Sequence, residues 1–215
     1  MSAPTEQIGR IVLLNGSSSA GKTSLAHALQ LVMPDPWHHI ALDQYRDGMP
    51  GQYRGMNAPA GTRGHDGLNV APATVRGELV TEIRFGVTGR QMLRGMHRAI
   101  AAFASAGNNV IVDDILFDAD ILNDYLLALQ GFQVLFVGVR CPLPLVEVRE
   151  SPRLGRFPGT AHSHFVEVHA HGCYDLEVDT AQYSAVACAG QVRDRLLTGA
   201  VPQAFARLRA ARHIG

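Results

Sequence analysis

The sequence predicts an α/β fold: a parallel sheet built from five strands, with helices on both faces. Three observations predict it. Short β-branched apolar runs alternate with segments of helical periodicity along the 215 residues. The first run passes through a glycine-rich stretch straight into a helix, "LLNGSSSAGKTSLAHAL" (13–29). Charged residues stand at the carboxyl ends of strand candidates, at Asp43, Asp113 and Arg140. In open parallel sheets that edge carries the ligand crevice.

The elements follow in order. "RIVLLN" (10–15) carries a near-continuous apolar run, as a strand covered on both faces requires. "TSLAHALQLVM" (23–33) reads as a helix ended by "PDP", and "HHIALD" (38–43) as a second strand. Residues 74–105 read as mainly helical, with a break near "FGVTG". "NNVIVDDILF" (108–117), "FQVLFVGVRC" (132–141) and "YDLEVDT" (174–180) supply three more strands, with helices over 118–130 and 184–197. Segment 46–72, "RDGMPGQYRGMNAPAGTRGHDGLNVAP", is rich in Gly and Pro and lacks periodicity. It follows the second strand, so a substrate-covering insertion is the functional reading and a surface loop the bland one. The tail 200–215 carries an amphipathic helix over 201–214 that could pack on the domain or on a second subunit, making a homo-oligomer a candidate state.

Composition narrows the classes. Lys+Arg and Asp+Glu are both 19, so the basic excess usual in nucleic-acid binders is missing. No apolar run reaches the roughly 18–20 residues of a membrane helix. The three cysteines, Cys141, Cys173 and Cys188, match no metal spacing. A single-domain cytoplasmic protein is expected, with no nucleic-acid or membrane partner.

Lys22 is the one lysine in the chain. It belongs to Gly16-Ser17-Ser18-Ser19-Ala20-Gly21-Lys22-Thr23, which satisfies G-x-x-x-x-G-K-[ST] between a strand and a helix. Glycines let the backbone approach an anion, and the loop N–H groups bind phosphate. A compact ammonium on a flexible stem reaches the β- and γ-phosphates, where a guanidinium would not fit. Thr23 offers its hydroxyl to Mg²⁺. The nucleotide-contacting stretch is therefore Gly16 to Thr23 with the adjoining Ser24. A nucleotide switch selecting guanine through N-K-x-D is excluded, because no second lysine exists. Motor ATPases usually exceed this length, and a small-molecule kinase fits it.

Such a kinase needs a base, a metal environment and positive charge. Asp43, at the end of the second strand, is the candidate base; capping the next helix is its structural alternative. Asp113 and Asp114 end "VIVDD" and point to opposite faces. Asp113 is the metal candidate, with Asp114 the alternative. Arg140 closes the fourth strand as a charge-stabilising candidate. "VEVRESPRLGRFPG" brings Arg149, Arg153 and Arg156 into a lid over the phosphates, continuing to residue 172; a solvated charged turn paired with Glu147 and Glu150 is its alternative. His162, His164, His169 and His171 form a surface or substrate-lining cluster rather than a zinc site, with H-x-H on an extended chain putting both rings on one side.

The sequence resembles the chloramphenicol phosphotransferase-like kinases. The resemblance rests on "IVLLNGSSSAGKTSLAHALQ", "PDPWHHIALDQYRDGMP", "NNVIVDDILF", "VLFVGVRCPLPLVEVRESPRLGR" and "EVHAHGCYDLEVDTA", and covers roughly residues 8–198. It implies a five-stranded parallel sheet and ATP-dependent phosphorylation of a primary hydroxyl on chloramphenicol. It implies Asp43 as base, phosphate contacts at Gly21, Lys22 and Thr23, and charge stabilisation by Arg140 and the lid arginines. The insertion after Asp43 and the C-terminal extension depart from the family pattern, so another hydroxylated antibiotic or a metabolite is an alternative acceptor. A metabolite or nucleoside kinase, and a regulatory module that hydrolyses nucleotide slowly, are the competing functions.

Overall fold

All five expected strands are present in the computed structural model, which describes residues 8–75, 77–151 and 159–214. They are β1 (Ile11–Asn15), β2 (Trp37–Ala41), β6 (Asn109–Asp114), β7 (Val134–Arg140) and β8 (Leu176–Asp179). Every pairing among them is parallel, in the order β2-β6-β1-β7-β8. The central β1 is buried at each position, which explains the apolar run Ile11–Leu14; its last residue, Asn15, is buried but hydrogen-bonded through Nδ2 to Val168 O.

Alternate residues of β1 feed two separate cores. Ile11 and Leu13 meet α4 (Val87–Ser105), α5 (Ala119–Ala128) and α9 (Ala204–Arg212) through Met96, Ile100, Leu126 and Phe205. Val12 and Leu14 meet α1 (Lys22–Val32) and α8 (Ala185–Leu197) through Leu25, Leu29, Cys188 and Val192. The C-terminal helix is shorter than residues 201–214 and packs on this sheet; Phe205 meets Phe136 edge-on with centroids 5.4 Å apart.

Residues 74–105 correct the sequence reading, because helix begins only at Val87. Before it, β4 (Leu68–Val75) and β5 (Glu78–Phe85) form an antiparallel hairpin, and β3 (Arg54–Met56) pairs with β4 to complete a second sheet. "ELVTEIRF" mixes helix formers with strand formers, and cross-strand pairing decides between them. Pro72 is tolerated inside β4 because β3 pairs only as far as Val70, leaving that stretch at an edge.

Segment 46–72 is likewise folded rather than irregular. It takes in the end of α2 (Leu42–Gly48), a 3₁₀ turn at Gly51–Tyr53, β3, α3 (Arg63–Asp66) and the start of β4. Its glycines allow close approach. A Cβ on Gly55 would lie 2.6 Å from Gly64 O, and one on Gly67 would lie 2.0 Å from Tyr53 O. Asn69 clamps the fold by accepting from Ala58 N at 3.0 Å and donating to Ala58 O at 3.1 Å.

Of the expected lid, Arg153 and Arg156 lie outside the described residues. On either side, α6 (Leu143–Glu150) and α7 (Thr160–His164) are joined where Glu150 Oε1 accepts from Ala161 N at 3.1 Å. A 3₁₀ turn at Glu167–His169 follows. Among the described residues no helix is long and apolar enough to cross a membrane.

Candidate active site

The loop after β1 is shaped by two glycines. Gly16 passes so close to β7 that a Cβ would sit 2.5 Å from Val139 O. Gly21 takes φ 93°, a left-handed conformation that glycine adopts without strain, and turns the chain into α1. Lys22 lies back across the loop, with Nζ donating to Gly16 O at 3.0 Å and Ser17 O at 2.9 Å.

Asp113 faces this loop. Its Oδ2 accepts from Thr23 Oγ1 at 2.6 Å, and its Oδ1 lies 3.8 Å from Lys22 Nζ. His39 Nε2 on β2 is 3.7 Å from the same carboxylate. Burial pushes the Asp113 carboxyl up, yet His39, Lys22 and Thr23 together outweigh it and hold the group below its ordinary value. The next residue points into the core. Asp114 accepts from Tyr125 OH and from Ile115 N, both at 2.7 Å, and burial holds its carboxyl above the ordinary value. Of the two aspartates, Asp113 is thus the one set against the P-loop lysine and threonine.

Asp43 sits just past β2, which ends at Ala41, on the second residue of α2 rather than at the strand end itself. Gln44 Oε1 accepts from Ala41 N at 3.0 Å and fixes this change from strand to helix. The Asp43 carboxylate pairs with Arg46 Nη1 at 2.7 Å and stays 47% exposed. Arg149 extends from α6 to the residue just past β8, donating to Thr180 Oγ1 at 3.1 Å and Thr180 O at 2.8 Å. Thr180 Oγ1 in turn donates to Ala20 O in the loop at 2.7 Å. One cavity of about 510 Å³ joins these parts and is lined by Lys22, Thr23, Asp43, Asp113, Arg149 and Thr180.

Arg140 is not brought to that cavity's lining. Its guanidinium pairs with Glu177 and lies 5.6 Å over the Tyr174 ring.

The four histidines do not form one cluster, because 160–164 is helical and the extended H-x-H geometry is lost. His162 pairs with Glu147 and Glu78. His164 accepts from Ser18 N at 3.1 Å. Behind the loop, Asn15 Nδ2 donates to Tyr174 OH at 2.8 Å, and that hydroxyl lies 2.6 Å from His169 Nδ1. His171 Nε2 is 3.3 Å from the same Asn15 nitrogen. Among the described residues no three His, Cys, Asp or Glu side chains converge on a metal-sized site.

Burial lowers both His169 and His171 to about 4, with Arg140 adding to the effect on each. The folded values lie below the ordinary value of 6.5, so on acidification the unfolded chain takes up protons first. This contribution to stability is complete above about 6.5 and disappears as pH falls towards about 4. Melting temperature should therefore fall across that window, and the double variant His169→Gln/His171→Gln should show a flatter profile. An unchanged slope in thermal melts would contradict this.

Residues 9–197 match the family described as chloramphenicol phosphotransferase-like protein. The chain belongs to the chloramphenicol phosphotransferase-like family. A Mycobacterium tuberculosis H37Rv relative, named provisionally as an O-phosphotransferase, is 31% identical over 211 residues, spanning 94% of this chain and 88% of the relative. Among solved structures, M. tuberculosis APS kinase in complex with AMPPNP and APS superposes with a TM-score of 0.60 at 18% identity, over 87% of this chain and 97% of that one. The Deinococcus radiodurans tunicamycin resistance protein gives 0.56 at 17% identity, covering 87% and 95%. Shikimate kinase from Acinetobacter baumannii gives 0.55 at 13% identity, covering 90% and 96%. The fold is that of the P-loop kinases, and this family member is a phosphotransferase of the P-loop kinase type.

Sequence reasoning missed Thr180 as the tie between Arg149 and the loop, and His39 beside Asp113. Both stand in quoted motifs, "VDT" and "HHIALD", but their partners lie far away in the chain, on α6 and the loop for Thr180 and on β6 for His39, so they carry no local signal.

Proposed function

We propose that this phosphotransferase moves the γ-phosphoryl group of ATP to a hydroxyl of a small molecule, with chloramphenicol or another hydroxylated antibiotic as the first acceptors to test. One observation carries the reading: Lys22, the Thr23–Asp113 pair and Asp43 line a single cavity. The family's description supports the choice of acceptor.

The loop N–H groups and Lys22 would hold the phosphates. Thr23 and Asp113 supply oxygen donors only, which suits a hard cation such as Mg²⁺. When bound, that ion neutralises phosphate charge. Asp43 orients the acceptor hydroxyl and takes its proton as oxygen attacks phosphorus in line, and ADP leaves with no phosphoenzyme. Arg149, tied to the loop through Thr180, stabilises charge on the transferred group. Arg140 would join it by leaving Glu177, and Arg153 and Arg156 are assigned to the nucleotide on sequence grounds. Segment 46–72, which holds β3 and the start of β4, is assigned to cover the acceptor on sequence grounds; none of its residues lines this cavity.

Mass spectrometry tests this. Purified protein is incubated with ATP, Mg²⁺ and a panel of hydroxylated antibiotics, nucleosides and sugar acids. A gain of one phosphoryl mass on chloramphenicol or a relative is the expected result. A product on a nucleoside or sugar acid alone would overturn the antibiotic assignment. Steady ATP hydrolysis with no phosphorylated product would overturn the kinase reading.

A further inference from the structure

The backbone N–H of Ser18 belongs to the phosphate-binding loop, where such groups grip phosphate oxygens. Here it donates to a side chain instead, His164 Nε2 at 3.1 Å. A backbone N–H only donates, so Nε2 carries no proton and the ring is neutral. The ring proton is on Nδ1, 3.4 Å from Ser163 Oγ, and that hydroxyl donates to Thr160 O at 2.7 Å. The ring is 5% exposed. It is held there because α7 is pinned to α6 through Glu150 and Ala161, and the Phe117 ring lies beside it with centroids 6.0 Å apart.

A phosphoryl oxygen on the loop would compete for the same N–H. An anionic oxygen and an unprotonated ring nitrogen sharing one donor repel each other. A proton on Nε2 converts that repulsion into a charge-assisted hydrogen bond. Burial of the ring opposes that charge, and nearby carboxylates offset part of the cost. A cavity of about 100 Å³ beside His164 is lined by Glu82 of β5 and Glu167 of the 3₁₀ turn, along with Ser163 and Phe117. Glu82 also pairs with Arg84 at 2.8 Å. On α7 itself His162 is occupied by Glu147 and Glu78, and on the loop side Lys22 is held by Gly16 O and Ser17 O.

We propose that His164 is a phosphoryl-contacting residue that takes up a proton from solvent when ATP binds. Nε2 accepts from Ser18 before binding and donates to a phosphoryl oxygen afterwards. The inference rests on the reading of the cavity as an ATP site, and it makes nucleotide binding a proton-linked step.

Isothermal titration calorimetry tests it with a non-hydrolysable ATP analogue and Mg²⁺, at about pH 7.5 where a free imidazole is mostly neutral. Heats in buffers of different ionisation enthalpy give the protons taken up. His164→Gln keeps an oxygen that accepts from Ser18 but cannot be protonated. Wild type should take up more protons than His164→Gln, by roughly half a proton or more per nucleotide bound. Nitrogen NMR of the wild-type ring should also move to the imidazolium range on adding the analogue, a readout that does not depend on the variant folding. Equal proton uptake in the two proteins, or a ring that stays neutral with the analogue bound, would overturn the proposal while leaving the ATP site intact. No binding of the analogue at all would overturn both.

Discussion

Asp43→Asn is expected to leave nucleotide binding intact and to lower phosphoryl transfer by about 10²–10⁴-fold, the usual worth of a positioned general base. The amide keeps the size of the carboxylate and one accepting oxygen, but it cannot take the hydroxyl proton. Stability should hardly change. Asp43 is 47% exposed and its pairing with Arg46 is a surface one, worth about 0–1 kcal/mol. Loss of turnover with an unchanged melting temperature would separate proton transfer from support of α2. Near wild-type turnover would show that Asp43 acts only in its pairing with Arg46 along that helix. Steady-state kinetics beside a nucleotide-binding titration distinguishes the two.

Lys22→Ala should also be damaging, lowering transfer by about 10²–10³-fold, the cost of removing a preorganised charge donor from the developing phosphoryl charge. Lys22→Arg should not restore activity. The ammonium is fixed by two carbonyls, Gly16 O and Ser17 O, at 3.0 and 2.9 Å. A planar guanidinium on a longer stem cannot take both bonds and still reach a phosphate over the same loop. An arginine variant with wild-type kcat would contradict the steric part of this argument. The alanine variant should also lose nucleotide affinity, unlike Asp43→Asn, because Lys22 acts on phosphate and Asp43 on the acceptor.

What could be read from the sequence follows from the physics of each element. Strands covered on both faces need apolar middles, so the runs IVLL, VIV and VLFV in β1, β6 and β7 stand out in a single chain. The phosphate loop stands out because its chemistry needs two glycines, a lysine and a hydroxyl at fixed spacing. The small sheet was not legible. Strand β5 mixes Glu78, Leu79, Glu82 and Arg84 with Val80, Thr81, Ile83 and Phe85, so its local preference is divided and pairing with β4 settles it. The choice between Asp113 and Asp114 needed the faces of β6, which the opposite contacts with Thr23 and Tyr125 reveal. His164 was visible as a histidine, but its contact with Ser18 spans 146 positions in the chain and depends on α7 being helical.

The most direct test of the whole account is ATP consumption measured with and without a hydroxylated acceptor, in wild type and in Asp43→Asn. The account predicts slow consumption alone and a sharp rise on adding the acceptor, with one ADP formed per phosphorylated product. That rise should vanish in the variant. Consumption that no acceptor changes, equal in both proteins, would contradict it and mark the cavity as a site of nucleotide hydrolysis rather than transfer.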